Sequence, residues 1–327
     1  MKHTVVRVCG VFWLCVVSPL FTPSANADEP VKPRAKFELS LGTWISVGET
    51  TWAHNASSVP GLGNPTSKLT YKDVGTNVVE LTGKLWASRK VFLRLNVGGA
   101  GIGGGRLTDD DYGTGQRLFS RTYSDISGDS MWYLNADVGM RLKEFTNQRG
   151  YLDFFGGYQF WHTRYQAVGV AQIFCDPSAI PGVSCAPAGT NVLPGVTAIT
   201  NTTNWHSIRA GLSTEYRITR WFSVHGSVAL IPASFLNNKD VHHLRSDLQQ
   251  NPSFSMVGFG VGADADAGIR VTFNRYVSAT AGYRLYYNRM LSGHLTVHPV
   301  SSPSDEFPLT EFQSLRHGLT AGLNFSF

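Results

Sequence analysis

Two short stretches of the chain carry side chains suited to hydrolytic chemistry. The first, TDDDYGTG, places Asp109 and Asp111 two positions apart. The second, KDVHH, places Asp240 and His242 at the same spacing. Residues two apart share one face of an extended strand. The first pair could hold a proton between two carboxylates, and the second could use an imidazole oriented by a carboxylate as a general base for attack by water.

Structural roles for the same residues remain open. The three aspartates could be a solvated loop, and His242 and His243 could be rim histidines without a function. The other histidines are scattered over separate segments and lack metal-site spacing. We therefore expect neither a metal nor another cofactor.

The N-terminal residues have the pattern of a secretory signal peptide. A basic start is followed by a short apolar run and by an Ala-x-Ala sequence that ends at Ala27. We expect residues 1–27 to be removed, which leaves residues 28–327 as a single mature domain.

Two cysteines remain in the mature chain, Cys175 and Cys185, both within the Pro- and Gly-rich stretch FCDPSAIPGVSC. Disulfides persist in exported proteins. We expect a small loop closed by a disulfide; two free thiols are the alternative.

The composition narrows the class of protein. Without Lys2 and Arg7 of the signal peptide, 26 basic residues stand against 23 acidic ones, a balance that does not suggest nucleic-acid binding. The chain is rich in glycine and aromatic residues, and no mature stretch reaches 18 consecutive apolar residues, so no transmembrane helix is expected. Such a composition in an exported chain is typical of a transmembrane β-barrel.

Alternation of polar and apolar residues between turn signals predicts ten strands. In one of them a lipid-facing row is formed by Trp132, Leu134, Ala136, Val138, Met140 and Leu142. The predicted strands cover 36–52, 66–87, 91–105, 118–143, 148–172, 200–218, 221–237, 256–273, 275–296 and 309–327. The predicted fold is all-β: a ten-stranded antiparallel transmembrane barrel, with the even strand number of single-chain bacterial barrels.

The connections alternate between short and long, as expected for periplasmic turns and extracellular loops. The second and fourth long connections carry the two candidate pairs, which would face each other across the mouth of the barrel. A lumen of this size is filled by its own side chains. For the barrel wall and its interfacial girdle we expect a set of tryptophans comprising Trp44, Trp52, Trp86, Trp132, Trp161 and Trp221.

The last strand alternates strictly and ends on Phe327. This pattern resembles the C-terminal strand of bacterial outer-membrane barrels, in which the final aromatic residue belongs to the signal read by the barrel assembly machinery. The resemblance implies insertion into the outer membrane of a Gram-negative bacterium.

Taken with these motifs, the chain resembles the omptins, ten-stranded outer-membrane proteases. DDDYG matches their Asp-x-Asp-Trp element, with Tyr112 at the tryptophan position, and DVHH matches their Asp-x-His element. Further similar segments follow in the same order along the mature chain, namely LSLGTW, SKLTYK, ELTGKLW, GGYQFWHTRY and LTAGLNFSF. The resemblance implies a monomeric endopeptidase of the cell surface with four catalytic residues, Asp109, Asp111, Asp240 and His242.

The chain also departs from the omptin pattern. Omptins cut between basic residues, but Asn238 stands where one acid of their specificity pocket is expected, and the first long connection has no acid. The family binds lipopolysaccharide and requires it for activity; Tyr158 and Arg164 are the candidate contacts here, with altered spacing. A non-enzymatic outer-membrane barrel serving adhesion, binding or envelope structure remains the alternative function.

Overall fold

The computed structural model describes residues 36–146 and 149–327, and the expected signal peptide lies outside this part of the chain. The described residues confirm the predicted all-β, ten-stranded antiparallel barrel. The strands are β1 (Phe37–His54), β2 (Leu62–Trp86), β3 (Val91–Gly113), β4 (Arg117–Glu144), β5 (Gly150–Cys175), β6 (Asn191–Arg217), β7 (Phe222–His242), β8 (Phe254–Thr272), β9 (Val277–Val297) and β10 (Asp305–Ser326). One turn of 3-10 helix (Thr114–Gln116) links β3 to β4.

The sheet closes on itself because β1 pairs with β10. This antiparallel ladder runs from Glu38 opposite Ser326 to His54 opposite Leu309. Every other strand pairs with its two neighbours in sequence. The barrel therefore has no free sheet edge, as a bilayer requires of a strand protein.

The outer wall carries a band of exposed apolar side chains around the half of the barrel nearest the short connections. Such a large exposed apolar surface is stable only against lipid. Representative members are Leu41, Ile45, Val79, Leu95, Val138, Met140, Leu212, Val228, Ile269, Leu319 and Leu323. Within the described ranges, no helix is long and apolar enough to cross a membrane. We call the end with the short connections the turn end and the opposite one the loop end.

The tryptophans expected on the wall divide between the two faces of the barrel. Trp132 and Trp221 are about half exposed on the outside, whereas Trp44, Trp52, Trp86 and Trp161 are buried on the lumenal side. The prediction was wrong for these four because they occupy inward positions, where a ten-stranded lumen must be occupied by large side chains. An aromatic layer results: Trp161 stacks on Tyr286 and Tyr133, with 3.8 and 5.2 Å between ring centroids.

Between this aromatic layer and the turn end, the lumen is lined by paired charges. Asp137 lies 2.8 Å from Arg94 Nη2 and 3.2 Å from Arg209 Nε, and Arg209 Nη1 donates to Asp264 at 2.7 Å. Such pairs satisfy charges that burial would otherwise make costly. Together with Trp161 and Tyr286, these residues line a polar cavity of about 210 Å³ in the lumen.

The strands extend further at the loop end than the sequence predicts. Their turn ends lie within two residues of the prediction, but β3 continues to Gly113 rather than 105 and β7 to His242 rather than 237. Beyond the apolar band the outer face meets water, so the alternation that marks a lipid-facing strand fades while the backbone ladder continues. Both candidate pairs therefore lie on strands, not in loops.

At the loop end, Cys175 and Cys185 form a disulfide with their Cα atoms 5.8 Å apart. It joins the last residue of β5 to the connection that follows. The same connection is held by Arg117, whose Nη2 donates to Asp176 and Ser178 at 2.8 and 2.9 Å.

A charge placed in the apolar band should destabilise the barrel in a bilayer. Val228 is 54% exposed on the outer wall, and Leu244 is 42% exposed in the connection after β7. We expect Val228→Arg to lower the free energy of unfolding of the barrel in lipid vesicles by about 2–4 kcal/mol, because arginine is desolvated near the bilayer centre. Leu244→Arg is the control and should change it little. Equal effects in urea titrations of the two variants would contradict the assigned band.

Candidate active site

Asp109 and Asp111 point into the lumen from the end of β3. Their cross-strand partners on β2 are Leu69 and Ser67. Leu69 is fully buried, and Ser67 Oγ lies 3.4 Å from Asp109 Oδ1 as a donor. On β3 the exposed apolar residues end at Val97, twelve positions before Asp109. The carboxylate pair therefore lies well beyond the membrane-spanning part of the strand.

The middle aspartate has a different role, because it points to the opposite face. Asp110 accepts hydrogen bonds from Arg121 Nε and Nη2 at 2.6 and 2.8 Å. The Tyr112 hydroxyl donates to Asp110 at 3.3 Å. Tyr112, at the position of the omptin tryptophan, thus contacts the structural aspartate on the outer face.

Asp240 and His242 point into the lumen from the end of β7. Asp240 is fully buried, and its Oδ2 accepts a hydrogen bond from Asn201 Nδ2 at 2.9 Å. His242 Nε2 lies 3.6 Å from Asp240 Oδ1. The backbone N–H of His242 donates to Ser253 Oγ at 3.0 Å, and its ring packs edge-on against Phe254 with 4.8 Å between centroids. Carboxylate and imidazole are thus adjacent, and both are held by β6 and β8 neighbours.

The two pairs come from nearly opposite sides of the ring, since β3 and β7 are four strands apart in one direction and six in the other. Tyr71, on β2, lies in the field of both sides: burial raises the pKa of its hydroxyl, and the charges of Asp240 and Asp109 raise it further. The charge of Asp240 also raises the pKa of Asp109. The carboxylates therefore share one electrostatic environment across the lumen.

Burial shifts the pKa values of these groups in the direction that favours their neutral forms. It raises the pKa of Asp109 well above its ordinary value, with a further contribution from Asp111, and raises the pKa of Asp111 to about 6. The pKa of Asp240 rises to about 7, also through burial. The pKa of His242 falls to about 3 through burial, with the Arg245 charge next in importance. The site thus combines a neutral base with carboxyls that keep a proton near neutrality.

Several buried polar atoms at this site lack regular hydrogen bonds to any described residue. They are Trp52 Nε1, His54 Nδ1, Tyr71 OH, Asp240 Oδ1 and His242 Nε2. Trp52 and Tyr71 nevertheless lie close enough to Asp240 to lower its pKa. Because buried polar groups are normally paired, an accumulation in one place indicates a functional site.

Sequence reasoning missed four neighbours of the two pairs. Trp52 and His54 are contributed by β1, Tyr71 by β2 and Arg245 by the connection after β7. The charge of Arg245 lowers the pKa of Asp111, while its guanidinium donates to Asp247 at 2.6 and 2.8 Å. Tyr71 could have been found from the sequence by its inward parity with Leu69 on the strand next to β3.

The lipopolysaccharide candidates, Tyr158 and Arg164, are not brought together. Both are exposed on the outer face of β5, six positions apart, which is roughly 20 Å along a strand. The Tyr158 hydroxyl is 2.6 Å from His206 Nδ1, and Arg164 Nε is 3.2 Å from Asp129. Among residues 36–146 and 149–327, no group of three or more His, Cys, Asp or Glu side chains is placed to hold a metal ion.

The architecture defines a ten-stranded transmembrane β-barrel. Over 89% of this chain and 96% of the other, it is similar to the outer membrane protease OmpT from Escherichia coli, with 13% identity and a TM-score of 0.72. The translocator domain of the autotransporter NalP from Neisseria meningitidis is similar with 8% identity over 90% of each chain and a TM-score of 0.38. The first likeness shows a shared fold. Neither a protein-family model nor a curated protein matches the chain.

Removal of the buried Asp240 carboxylate should stabilise the barrel at high pH. The folded protein raises the pKa of Asp240 from about 4 to about 7, so its stabilising contribution is complete below pH 4 and is lost as the pH rises through 7. We expect Asp240→Asn to match the wild type at pH 4 and to exceed its free energy of unfolding at pH 9, with a ceiling of roughly 4 kcal/mol.

Urea titrations from pH 4 to 9 measure this difference. The control is Asp247→Asn in an exposed loop, where Arg245 lowers the pKa of the aspartate. The stabilising contribution of Asp247 depends on pH in the opposite direction: it is present at high pH and is lost as the pH falls. If the free energy of unfolding of the wild type does not fall relative to that of Asp240→Asn between pH 5 and 9, the assigned burial of Asp240 is contradicted.

Proposed function

We propose that the chain is an outer-membrane endopeptidase that hydrolyses peptide bonds at the cell surface, with its loop end outside. The observation that carries the proposal is the convergence of Asp109 and Asp111 with Asp240 and His242 in one buried region of the lumen. A proton-sharing carboxylate pair opposite a neutral imidazole is suited to acid–base hydrolysis.

In the proposed first step, His242 activates water. With its proton on Nε2, toward Asp240, the imidazole has a free lone pair on Nδ1. Nδ1 takes a proton from water as the oxygen attacks the carbonyl carbon of the peptide. The Asp240 carboxylate then stabilises the imidazolium, a role that is typically important in base–orienter pairs. A general base of this kind contributes about 10²–10⁴-fold to the rate.

The carboxyl pair acts on the other side of the substrate. The proton held by Asp109 and Asp111 is donated in a hydrogen bond to the carbonyl oxygen, where negative charge develops. When the tetrahedral intermediate collapses, the C–N bond breaks and the His242 imidazolium returns its proton to the leaving amine. The products are a free carboxyl group and a free amine, with no covalent enzyme intermediate.

The likeness to OmpT supports this proposal because that protein is an outer membrane protease of the same barrel fold. The fold alone does not dictate function. The proposal therefore rests mainly on the site residues, because their two motifs occur on strand ends that face each other across one lumen.

The substrate preference is proposed to differ from a dibasic one. Asn238 is buried beneath Asp240, where its Nδ2 donates to Asn201 Oδ1 and Thr203 Oγ1 at 3.0 and 2.8 Å. Asn238 thus places a neutral amide, not a carboxylate, at the position where the omptin resemblance implies an acid that pairs with lysine or arginine. Neutral polar residues next to the cleaved bond suit such a floor better.

The membrane partners belong to the same proposal. Phe327, 65% exposed, would be read by the barrel assembly machinery, and the barrel would work as a monomer in outer-membrane lipid. Tyr158 and Arg164 would touch lipopolysaccharide at separate places on the wall, since they lie far apart along β5. Lipopolysaccharide should therefore be present in activity assays as a possible activator.

Cleavage of a diverse peptide library by the purified barrel tests the function. We expect His242→Ala and Asp240→Asn to reduce kcat/KM by at least about 10²-fold, because each removes general-base catalysis. Matched controls are His243→Ala, whose side chain bonds Thr200 at 2.9 Å, and Asp110→Asn, whose side chain pairs with Arg121 on the outer face. Both controls should retain activity.

Equal losses in the control variants would indicate damage to the fold rather than to the chemistry. A folded wild type that cuts no peptide, with lipopolysaccharide present, would contradict the proposal. The barrel would then be a non-enzymatic one that serves adhesion, binding or envelope structure.

The pH dependence of cleavage should report Asp240. Since the pKa of Asp240 is raised to about 7, kcat/KM should rise about tenfold per pH unit below 7 and level off above it. His242, whose pKa falls to about 3, stays neutral across this range. Steady-state rates of the wild type from pH 5 to 9 test this. If kcat/KM instead falls only near pH 4 and does not change between pH 6 and 8, Asp240 is not the ionising group.

A further inference from the structure

A second polar cavity, of about 130 Å³, opens at the turn end of the lumen, between the ends of β6 to β10. Four arginines line it, Arg217, Arg220, Arg270 and Arg275, with a single acid, Glu215. The formal charge of the lining is therefore +3. The cavity lies at the far end of the barrel from the candidate active site and takes no part in the proposed chemistry.

The first of two matching turns places Arg220 at this cavity. Thr219 Oγ1 accepts hydrogen bonds from the backbone N–H groups of Trp221 and Phe222 at 3.2 and 3.1 Å. This side-chain-to-backbone pattern locks the turn. The Arg220 guanidinium lies 4.8 Å from the Trp221 ring centroid, where cation–π attraction holds it.

The turn between β8 and β9 repeats the same arrangement. Asn274 Oδ1 accepts hydrogen bonds from the N–H groups of Tyr276 and Val277 at 2.8 and 3.0 Å. Arg275 follows Asn274 as Arg220 follows Thr219, and its guanidinium lies 4.5 Å from the Tyr276 ring centroid. Two turns from separate hairpins thus present an arginine on an aromatic ring at the edge of one cavity.

The strands supply the inner part of the cavity. Arg270 reaches in from β8, with Nη1 3.5 Å from Glu215 Oε2, and Glu215 Oε1 accepts a hydrogen bond from Ser223 at 2.8 Å. Arg270 Nε is buried without a hydrogen bond to any described residue. Glu215, the one carboxylate of the lining, already accepts a hydrogen bond from Ser223. The four guanidinium groups therefore carry more N–H donors than Glu215 can accept. A buried N–H donor of this kind favours an anionic acceptor.

The uncharged part of the lining is also rich in donors. Besides the arginines it includes the hydroxyl groups of Ser223, Ser278 and Ser326. Guanidinium forks combined with hydroxyls match the several oxygens of a phosphoryl group better than the two of a carboxylate. The small volume suits one such group rather than a peptide.

We propose that this turn-end cavity is a binding site for a phosphoryl group. The group belongs either to a free phosphate or to the head group of an anionic phospholipid in the adjacent leaflet. Trp221 and Tyr276, 50% and 48% exposed, place the two turns at the boundary of the apolar band, where head groups lie. The proposal is independent of the peptidase function, so failure of peptide cleavage leaves it unaffected.

Calorimetric titration of inorganic phosphate into the full barrel in zwitterionic detergent tests the site. We expect saturable binding, with Kd raised about tenfold or more by Arg270→Gln and by Arg220→Gln, because each removes charge-assisted hydrogen bonds. Arg220 is an exposed turn residue, so its variant should fold even if the Arg270 variant does not. The matched control is Arg106→Gln, since Arg106 also stacks on an aromatic ring, 5.1 Å from Tyr123, away from the cavity.

Three results would overturn the proposal: no saturable phosphate binding, an equal loss of affinity in Arg106→Gln, or acetate binding as tightly as phosphate.

Repeating the titration in nanodiscs identifies the source of the phosphoryl group. A higher apparent Kd in discs containing phosphatidylglycerol than in phosphatidylcholine discs supports a lipid head group as competitor. Equal values in both support a free phosphate.

Discussion

The structure depends on one constraint: inside hydrocarbon, each backbone N–H and C=O must be paired within the protein. The β1–β10 ladder, from Glu38 opposite Ser326 to His54 opposite Leu309, meets it by closing the sheet. Closure gives each strand one lipid-facing and one lumenal side. It also forces large and charged side chains into a narrow interior, where each must be packed or paired. The aromatic layer around Trp161 and the ion pairs of Asp137 are consequences of that confinement.

The chemistry of the loop end follows from the same confinement. Because the strands continue past the apolar band, the lumen remains enclosed around Asp109, Asp111, Asp240 and His242. Enclosure raises the carboxyl pKa values and lowers that of the imidazole, which separates proton donor from proton acceptor. Because burial favours their protonated forms, these carboxyl groups are expected to reduce stability as the pH rises through neutrality.

The two ends of the lumen have opposite electrostatic character. Carboxyl groups converge at the loop end and guanidinium groups at the turn end, with paired charges and the aromatic layer between them. Two of the four turn-end arginines, Arg220 and Arg275, are positioned by short turns that Thr219 and Asn274 stabilise, and the other two come from strands. One closed sheet can therefore carry two unrelated sites, because its ends meet different surroundings and are shaped by different local structure.

Sequence patterning alone predicts the ten strands, their turn ends within two residues, and the shared face of each candidate pair. These features are local: lipid imposes strict alternation, and a period of two places Asp109 with Asp111 and Asp240 with His242. Only the tertiary structure decided how far the strands extend at the loop end, where water on the outer face removes that alternation. It also decided which side chains meet across the lumen. The proximity of Tyr71 to Asp240, and the placement of Arg220 and Arg275 at one cavity, depend on the register of several strand ladders between distant segments. No local sequence pattern specifies that combined register.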